Sequence, residues 1–576
     1  MASVEAAPWA LGCKPVTARA QLRRFWVVGF FVPINIRRKI PIAAALLLSV
    51  VAINAAPAAA STTQASVFQA DPQVLSNPVG TLQQLRDLGV NMIRVNVTWN
   101  AIAPSPLSTK RPAGFDATNP AAYAAGGWAP YDAVVREAAA DHIAVDFTVN
   151  GPAPLWATGS GAPKSATGYF REDWEPSATE FGYFVKAVGT RYSGSYKPAG
   201  SPTALPRVSF WSIWNEPNYG YDIAPQGTGR NQTIPNSPHI YRNLVDAAWS
   251  SFQSTGHTTK TDKILFGEIT PHGVNAWGVF ANMKPLIFLR SLYCVGSNYR
   301  ELRGSAAKAQ GCPTTAAASR SFRKQNPALF SASGFAAHPY EEASPPNEPT
   351  HLCGSKLCAG APSDPNFADL PEVPRLESTL DRLNGIYGSH THYAVWSTEY
   401  GFRTRPPDPA EGVSQANQAI YMNEAEYLSY KQSRLQSYSQ YALIDQAPPA
   451  SFDTGLINPN GKPKPGYAAY RMPIWLPSSS TRKGRKLEVW GDVRPAYYAK
   501  LDTGKAQSVL VQFQAGSKGA WTTIATVAIK NARGYFDVHL PFPRSGSVRT
   551  AWTYPTGDPL LGGGTVYSRT VKITVK

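Results

Sequence analysis

The chain has 576 residues, too many for one ordinary core, and its 43% apolar content is that of a globular protein. The formal charge of +17 is unevenly spread: residues 1–60 carry seven basic and one acidic residue, residues 476–576 carry 15 and five, and the long middle is close to neutral. No P-loop, Rossmann fingerprint, HExxH or GxSxG element occurs, which removes nucleotide-binding, zinc-protease and serine-hydrolase readings.

In chain order, the basic residues Arg23, Arg24, Arg37, Arg38 and Lys39 precede an apolar run, Ile40 to Ala56. Ala58-x-Ala60 then supplies a small-residue cleavage pattern, so residues 1–60 read as a signal peptide cut near Ala60–Ser61, or as an N-terminal anchor. The run is short for a membrane span. The Arg37-Arg38 pair hints at twin-arginine export. The remainder is expected outside the cytoplasm, secreted or at the cell surface. Cys13 falls in the removed segment, which leaves Cys294, Cys312, Cys353 and Cys358. Four cysteines allow three connectivities, and nearness along the chain favours Cys294–Cys312 and Cys353–Cys358. His351 beside the second pair does not by itself make a zinc site.

From 61 to 475, short β-rich runs alternate with amphipathic stretches, the pattern of parallel βα units. The predicted strands are Ser66–Ala70, Met92–Thr98, Ile143–Asn150, Val208–Trp214, Ile264–Thr270, Gly334–Tyr340, Tyr393–Glu399 and Gln440–Asp445. Helical patterns between them include Thr81–Leu88, Ala129–Ala140, Ala178–Tyr192, Ile240–Phe252, Arg375–Ile386 and Gln415–Tyr430. Eight units over this length predict a (β/α)8 barrel, a TIM barrel with loop insertions, in the α/β class; a doubly wound open sheet is the competing fold. The insertions mostly follow strands, on the face where barrel sites form.

Residues 476–486, LPSSSTRKGRK, read as a polar linker. Beyond it, Leu487–Trp490, Ser508–Phe513, Trp521–Ile529, Gly534–Leu540, Val548–Trp552 and Val566–Val575 alternate without helical patterns. Residues 487–576 are therefore expected to form a small all-β sandwich of immunoglobulin or fibronectin type. Its positive charge makes an anionic cell-wall polymer, a membrane surface or an acidic polysaccharide the expected partner; nucleic acid is not expected for an exported chain.

Two motifs carry chemistry. Phe210–Gly220, FWSIWNEPNYG, places Glu216 just past the fourth strand, with Asn215 before it and Pro217 ending the strand. Tyr393–Phe402, YAVWSTEYGF, places Glu399 at the end of the seventh. Carboxylates on non-adjacent barrel strands can face each other across the mouth, and two carboxyl groups ~5–5.5 Å apart are what glycoside hydrolysis with retention requires. One must stay protonated to donate to the leaving oxygen, and the other must be ionised to attack. Glu268, at the end of the fifth strand, is the rival carboxylate; Asp146, Glu341 and Glu342 are further acids near strand ends. The 15 Trp and 27 Tyr suit a sugar-binding cleft, with Trp99, Trp128, Trp156, Tyr219 and Trp396 as candidate platforms.

At these positions the chain resembles the clan of retaining hydrolases that includes glycoside hydrolase families 5 and 39, the cellulase-like barrels. The resemblance implies Glu216 as acid/base and Glu399 as nucleophile. Arg94, in MIRVNVTW on the second strand, matches the clan's Arg beside the nucleophile. His338-Pro339-Tyr340 matches its His-x-Tyr, whose tyrosine bonds the nucleophile, and Asn215 would hold the sugar 2-hydroxyl. Asn150 stands where family 5 commonly has His at the end of the third strand, and Asp445-Gln446 where it has a stacking Trp at the end of the eighth. The expected substrate-binding set is Arg94, Asn150, Asn215, His338, Tyr340 and Trp396. No metal or cofactor is expected. Two alternatives share the motifs: a non-catalytic cell-wall carbohydrate-binding protein, and a transglycosylase using the same glutamates.

Overall fold

A computed structural model describes residues 60–163, 169–341, 344–353, 356–409, 411–446 and 452–576. The leader reading of residues 1–60, apart from Ala60, lies outside the described residues, as do Cys13 and Glu342.

Eight parallel strands form one sheet: β1 (Ala65–Gln69), β2 (Met92–Thr98), β3 (Ala144–Asn150), β4 (Phe210–Ile213), β5 (Lys263–Ile269), β6 (Gly334–Ala337), β7 (Val395–Ser397) and β8 (Ser437–Tyr441). They pair in chain order, and β8 returns to pair with β1. Between β7 and β8 the ring closes at a single bridge, Val395 to Leu435, where the Gln436 N–H donates to the Val395 carbonyl at 2.8 Å. The barrel is thus the (β/α)8 architecture rather than an open sheet. One helix of each unit covers the outside: α1 (Pro78–Asp87), α2 (Ala125–Ala140), α3 (Ala178–Arg191), α4 (Ser237–Ser254), α5 (Pro285–Leu292), α6 (Val373–Ile386), α7 (Gln415–Tyr430) and α8 (Pro465–Arg471).

Strand alternation sorts side chains into two environments. On β2, Ile93, Val95 and Val97 are fully buried against the outer helices. Its other face supplies the lumen in layers. Met92 joins Ala65, Val67, Phe210 and Trp396 in an apolar plug near the strand starts. The buried Arg94 lies one step higher, and Asn96 opens onto the cleft at the strand ends. Trp396 therefore lies in the plug, its ring 4.9 Å from Phe210, and the expectation that it contacts substrate is corrected. Its place follows from the alternation: Trp396 is one full period below Thr398, which faces the polar layer.

The eighth predicted strand, Gln440–Asp445, is displaced. The observed β8 is Ser437–Tyr441, and Ala442 ends it with φ +64°. The apolar Ala442-Leu443-Ile444 run suggested a strand, whereas the true one is SYSQY, whose serines bond across to β7 (Ser437 Oγ to the Ser397 carbonyl, 2.7 Å).

The C-terminal part contains two sheets. Strand β9 (Ile474–Trp475) pairs with β11 (Lys486–Asp492), which pairs with β14 (Tyr535–Pro541). The second sheet runs β10 (Ser480–Thr481), β17 (Val571–Val575), β15 (Gly546–Thr553), β12 (Ser508–Ala515), β13 (Trp521–Ala528), with β16 (Thr565–Tyr567) against β15. Within 476–486, read above as a linker, Leu476 is buried and β10 is paired. A helix absent from the sequence reading, α9 (Ala496–Thr503), stands between β11 and β12. It packs on the barrel: the Tyr498 hydroxyl donates to the Val90 carbonyl at 2.6 Å. Gly89 allows this approach, since a Cβ there would sit 2.3 Å from the Arg494 backbone. Both cysteine pairs are disulfides, Cys294–Cys312 and Cys353–Cys358. No helix among the described residues is long and apolar enough to cross a membrane.

Candidate active site

Above the apolar plug lies a layer of charge. Arg94, fully buried, donates through Nη1 to Gln69 Oε1 and Glu399 Oε1, both at 2.5 Å, and through Nη2 to Asn215 Oδ1 at 2.8 Å and Glu268 Oε2 at 3.0 Å. One guanidinium thus ties β1, β2, β4, β5 and β7 together. Burial opposes its charge, but Glu268 and Glu399 outweigh that and raise its pKa further.

Glu268 reaches this layer through a β-bulge between Gly267 and Ile269. Gly267 has φ +118°, and a Cβ there would lie 2.4 Å from the Ala336 carbonyl oxygen, so only glycine fits. Glu268 accepts from Arg94, from Thr398 Oγ1 at 2.7 Å, and pairs with His338 Nε2 at 2.8 Å. Burial works against its charge, yet Arg94 and then His338 hold its pKa at about 2. It is sealed from the cleft, whereas Glu216 and Glu399 retain 18% and 10% side-chain exposure. Asp146 lies in the same layer, accepting from Ser212 Oγ at 3.1 Å, and burial followed by Glu268 pushes it up to about 7.

Glu216 stands on a strained turn. Trp214 and Glu216 adopt φ of +66° and +36°, and the Glu216 N–H donates to the Glu268 carbonyl at 2.9 Å. Its Oε1 lies 2.8 Å from His338 Nδ1, and the same nitrogen lies 3.5 Å from Glu399 Oε2. Oxygens of Glu216 and Glu399 come within 4.8 Å of each other. Burial raises the Glu216 pKa, with His338 opposing. For His338, burial disfavours the charge, but Glu399 and its hydrogen bonds to Glu216 and Glu268 lift its pKa to about 10. Both ring nitrogens of His338 are engaged by carboxylates, so Glu216, His338, Glu268 and Glu399 form one hydrogen-bonded cluster. Tyr340 completes the surroundings of Glu399, its hydroxyl donating to Oε2 at 3.3 Å.

The structure therefore brings together Glu216, Glu399, Arg94, Asn215, His338 and Tyr340. Asn215 is doubly fixed, since its Nδ2 also donates to Asp222 Oδ1 at 3.1 Å. Asn150 ends β3 beside Thr98, outside the cleft lining, with its Oδ1 buried and unbonded. Among the proposed platforms, Trp99 and Trp128 are core, each about 1% exposed. Trp156 is half-buried, donating to the Pro104 carbonyl at 3.0 Å, and Tyr219 does line the cleft. Glu341 is buried away from the cleft, holding the Leu370 N–H at 3.1 Å and the Tyr400 hydroxyl at 2.5 Å.

The cleft over the two glutamates has a volume of about 440 Å³. Sequence reasoning missed several of its residues: Gln69 and Tyr441 at the ends of β1 and β8, Asn96 on β2, and Leu357 and Phe452 at the rim. Strand-end position was the available signal for Gln69. Tyr441 was hidden by the displaced eighth strand; it, and not Asp445-Gln446, ends β8.

No protein-family model matches the chain, and no curated protein sequence matches it. Among solved structures it is similar to a family 39 glycoside hydrolase from Bacteroides cellulosilyticus WH2 at 13% identity, covering 84% of this chain and 80% of that one, with a TM-score of 0.43. A family 1 β-glucosidase from Thermotoga maritima is similar at 15% identity over 67% and 81% of the two chains, with a TM-score of 0.41. The endo-β-1,4-mannanase from Thermotoga petrophila is similar at 11% identity over 91% and 99%, with a TM-score of 0.36.

Proposed function

We propose that this chain is a secreted retaining glycoside hydrolase that cleaves O-glycosidic bonds of a β-linked oligo- or polysaccharide by double displacement. The observation that carries the reading is the approach of Glu216 and Glu399 to within 4.8 Å at the mouth of the barrel. That spacing suits direct attack by one carboxylate and leaves no room for the water that inversion places opposite the leaving group. Glu399, held by Arg94 and Tyr340, attacks the anomeric carbon. Glu216, whose pKa burial raises, gives its proton to the leaving oxygen and later takes one from the water that releases the glycosyl-enzyme. Asn215 keeps one N–H donor for the sugar 2-hydroxyl after bonding Asp222.

The test compares wild type, Glu216→Ala and Glu399→Ala on aryl β-glycosides and β-glycans. Both variants lose activity, Glu216→Ala by ~10²–10⁴-fold on poor leaving groups, and azide restores Glu216→Ala with an azido-sugar as product. Full activity in either variant would sink the assignment.

Two disulfides suit an oxidising compartment, in keeping with export. The C-terminal domain, with 15 basic and five acidic residues from 476 to 576, is proposed to hold an anionic cell-wall polymer. Such attachment weakens in 1 M salt, where screening acts over ~3 Å; equal retention on teichoic-acid resin at low and high salt would argue against it.

A further inference from the structure

The second C-terminal sheet buries one face and leaves the other open. Along β12, Val509, Val511 and Phe513 are buried, while Leu510, Gln512 and Gln514 alternate with them on the outer side. The register carries that side across the neighbouring strands. Gln514 pairs with Trp521 of β13, Gln512 with Arg549 of β15, and Tyr567 of β16 with Ala551, two residues past Arg549. Lys572 of β17 pairs with Ser547, two residues before it. β12, β13, β15, β16 and β17 contain no Asp or Glu. The outer face therefore carries cations and no anion from its own strands. None of these residues lines the cleft of the two glutamates.

Arg549 is held where it stands. Its guanidinium carbon lies 4.2 Å from the Trp521 ring centre and 4.0 Å from that of Tyr567, a cation between two rings. Its Nε donates to Gln512 Oε1 at 2.9 Å, which fixes the plane of the fork. Among the described residues no acceptor meets either Nη group. Tyr567 is 41% exposed, so the clamp opens on solvent. The ring-stacked Arg86, Arg191 and Arg494 each pair with a carboxylate, of Asp502, Asp132 and Glu426 in turn. Arg549 shares the stacking, and no carboxylate of the described residues pairs with it.

This geometry sets the chemistry of an occupant. A fork with both Nη groups open offers a carboxylate two parallel hydrogen bonds. The rings on either side supply apolar surface of the kind that covers a pyranose. A uronic acid unit meets both, since its carboxylate is borne on the pyranose ring. A poly(glycerol phosphate) brings charge without a ring. Because stacking and Gln512 already order the Arg549 side chain, little of its freedom is left to lose on binding.

We propose that Trp521, Arg549 and Tyr567 form a binding site for the uronate units of an acidic polysaccharide, outside the barrel. The inference rests on the attachment reading of the C-terminal domain and gives it a site and a sugar. It is tested by depletion of the full chain onto bead-coupled polygalacturonate at near-physiological salt. That polymer is α-linked, so the chemistry proposed for the cleft does not consume it. Neutral galactan and poly(glycerol phosphate) are the comparison polymers. Wild type binds polygalacturonate and not galactan. Arg549→Lys, which keeps the charge and loses the fork, and Trp521→Ala, which opens the clamp, each weaken the apparent Kd by at least about tenfold. Arg549→Lys keeps the wild-type thermal midpoint, which shows the sheet intact. If Arg549→Lys binds as wild type does, diffuse charge holds the polymer; that overturns the site and leaves the attachment reading standing. Wild type that binds poly(glycerol phosphate) and not polygalacturonate has the same consequence. Binding to neither anionic polymer overturns both readings.

Discussion

At the scale of single residues, the site is a problem in charge balance. Three carboxylates, Glu216, Glu268 and Glu399, surround one imidazole and one guanidinium within a layer that water barely reaches. His338 is the shared cation, and it acts on Glu216 at 2.8 Å. Groups facing the pair also include Asp222 behind Asn215, Asp71 beside Asn96, Asp146 in the Arg94 layer, and the Tyr340 and Tyr441 hydroxyls. Burial raises the Glu216 pKa and the imidazolium pulls it back. In the proposed role Glu216 must carry its proton to act as acid, so the alkaline fall in rate would mark its ionisation. Removing the positive charge removes the attraction that holds its pKa down. His338→Gln is therefore expected to move the alkaline limb of kcat/KM to higher pH, as well as lowering the maximum. A pH–rate profile on an activated aryl glycoside checks this. An alkaline limb that stays put, or moves down, would show that His338 does not set the proton affinity of Glu216. The His338→Gln imidazole vacancy matters for rate through position, and the pH shift separates charge from position.

At the scale of elements, what could be read from the sequence depended on whether a pattern was local. β2 was legible to the residue because MIRVNVT alternates cleanly and both its faces are buried by different partners. Glu216 and Glu399 were legible because each follows a strong apolar strand and a turn signal. β8 was not, since SYSQY has a weak apolar signature and gains its place from bonds to β7 and β1 that no local window contains. The role of Glu268 was hidden for a related reason: a bulge reverses the side-chain parity of β5, and parity errors move a residue from wall to lumen. Trp396 was misplaced because its height in the barrel, down in the apolar plug against Phe210, is not visible in the local sequence. α9 was obscured by Ala496-Tyr497-Tyr498, which looks like strand, yet Tyr498 packs on α1 and the turn after it; Arg86 stacks on its ring at 4.2 Å. Residues that act through neighbours distant in sequence, such as Gln69 beneath Glu399, carry no motif at all.

At the scale of the whole molecule, the joint between barrel and C-terminal sheets bears on stability as much as the barrel core does. Arg494, fully buried just after β11, donates to the Tyr470 carbonyl at 2.6 Å and also bonds Ser66 on β1 and Glu426 on α7. Glu426 in turn accepts from the Tyr535 hydroxyl of β14 at 3.1 Å, and that hydroxyl reaches Gln64 at 3.3 Å. A buried ion cluster, which Asp492 joins at 3.4 Å from Arg494, thus fastens the first barrel strand, the seventh helix and two C-terminal strands. Breaking such a pair on one side leaves a buried charge and costs ~3–5 kcal/mol, whereas replacing both sides with apolar groups is often neutral. Arg494→Ala is expected to lose stability of that order, and Arg494→Met with Glu426→Leu and Asp492→Asn, which removes all three charges, to recover most of it. Urea denaturation followed by tryptophan fluorescence and by residual activity checks both. Because the joint is shared, wild type should unfold in one transition by either probe. Two separated transitions, with the activity midpoint unmoved in Arg494→Ala, would mean that the C-terminal sheets are an appendage and that the barrel holds its site alone.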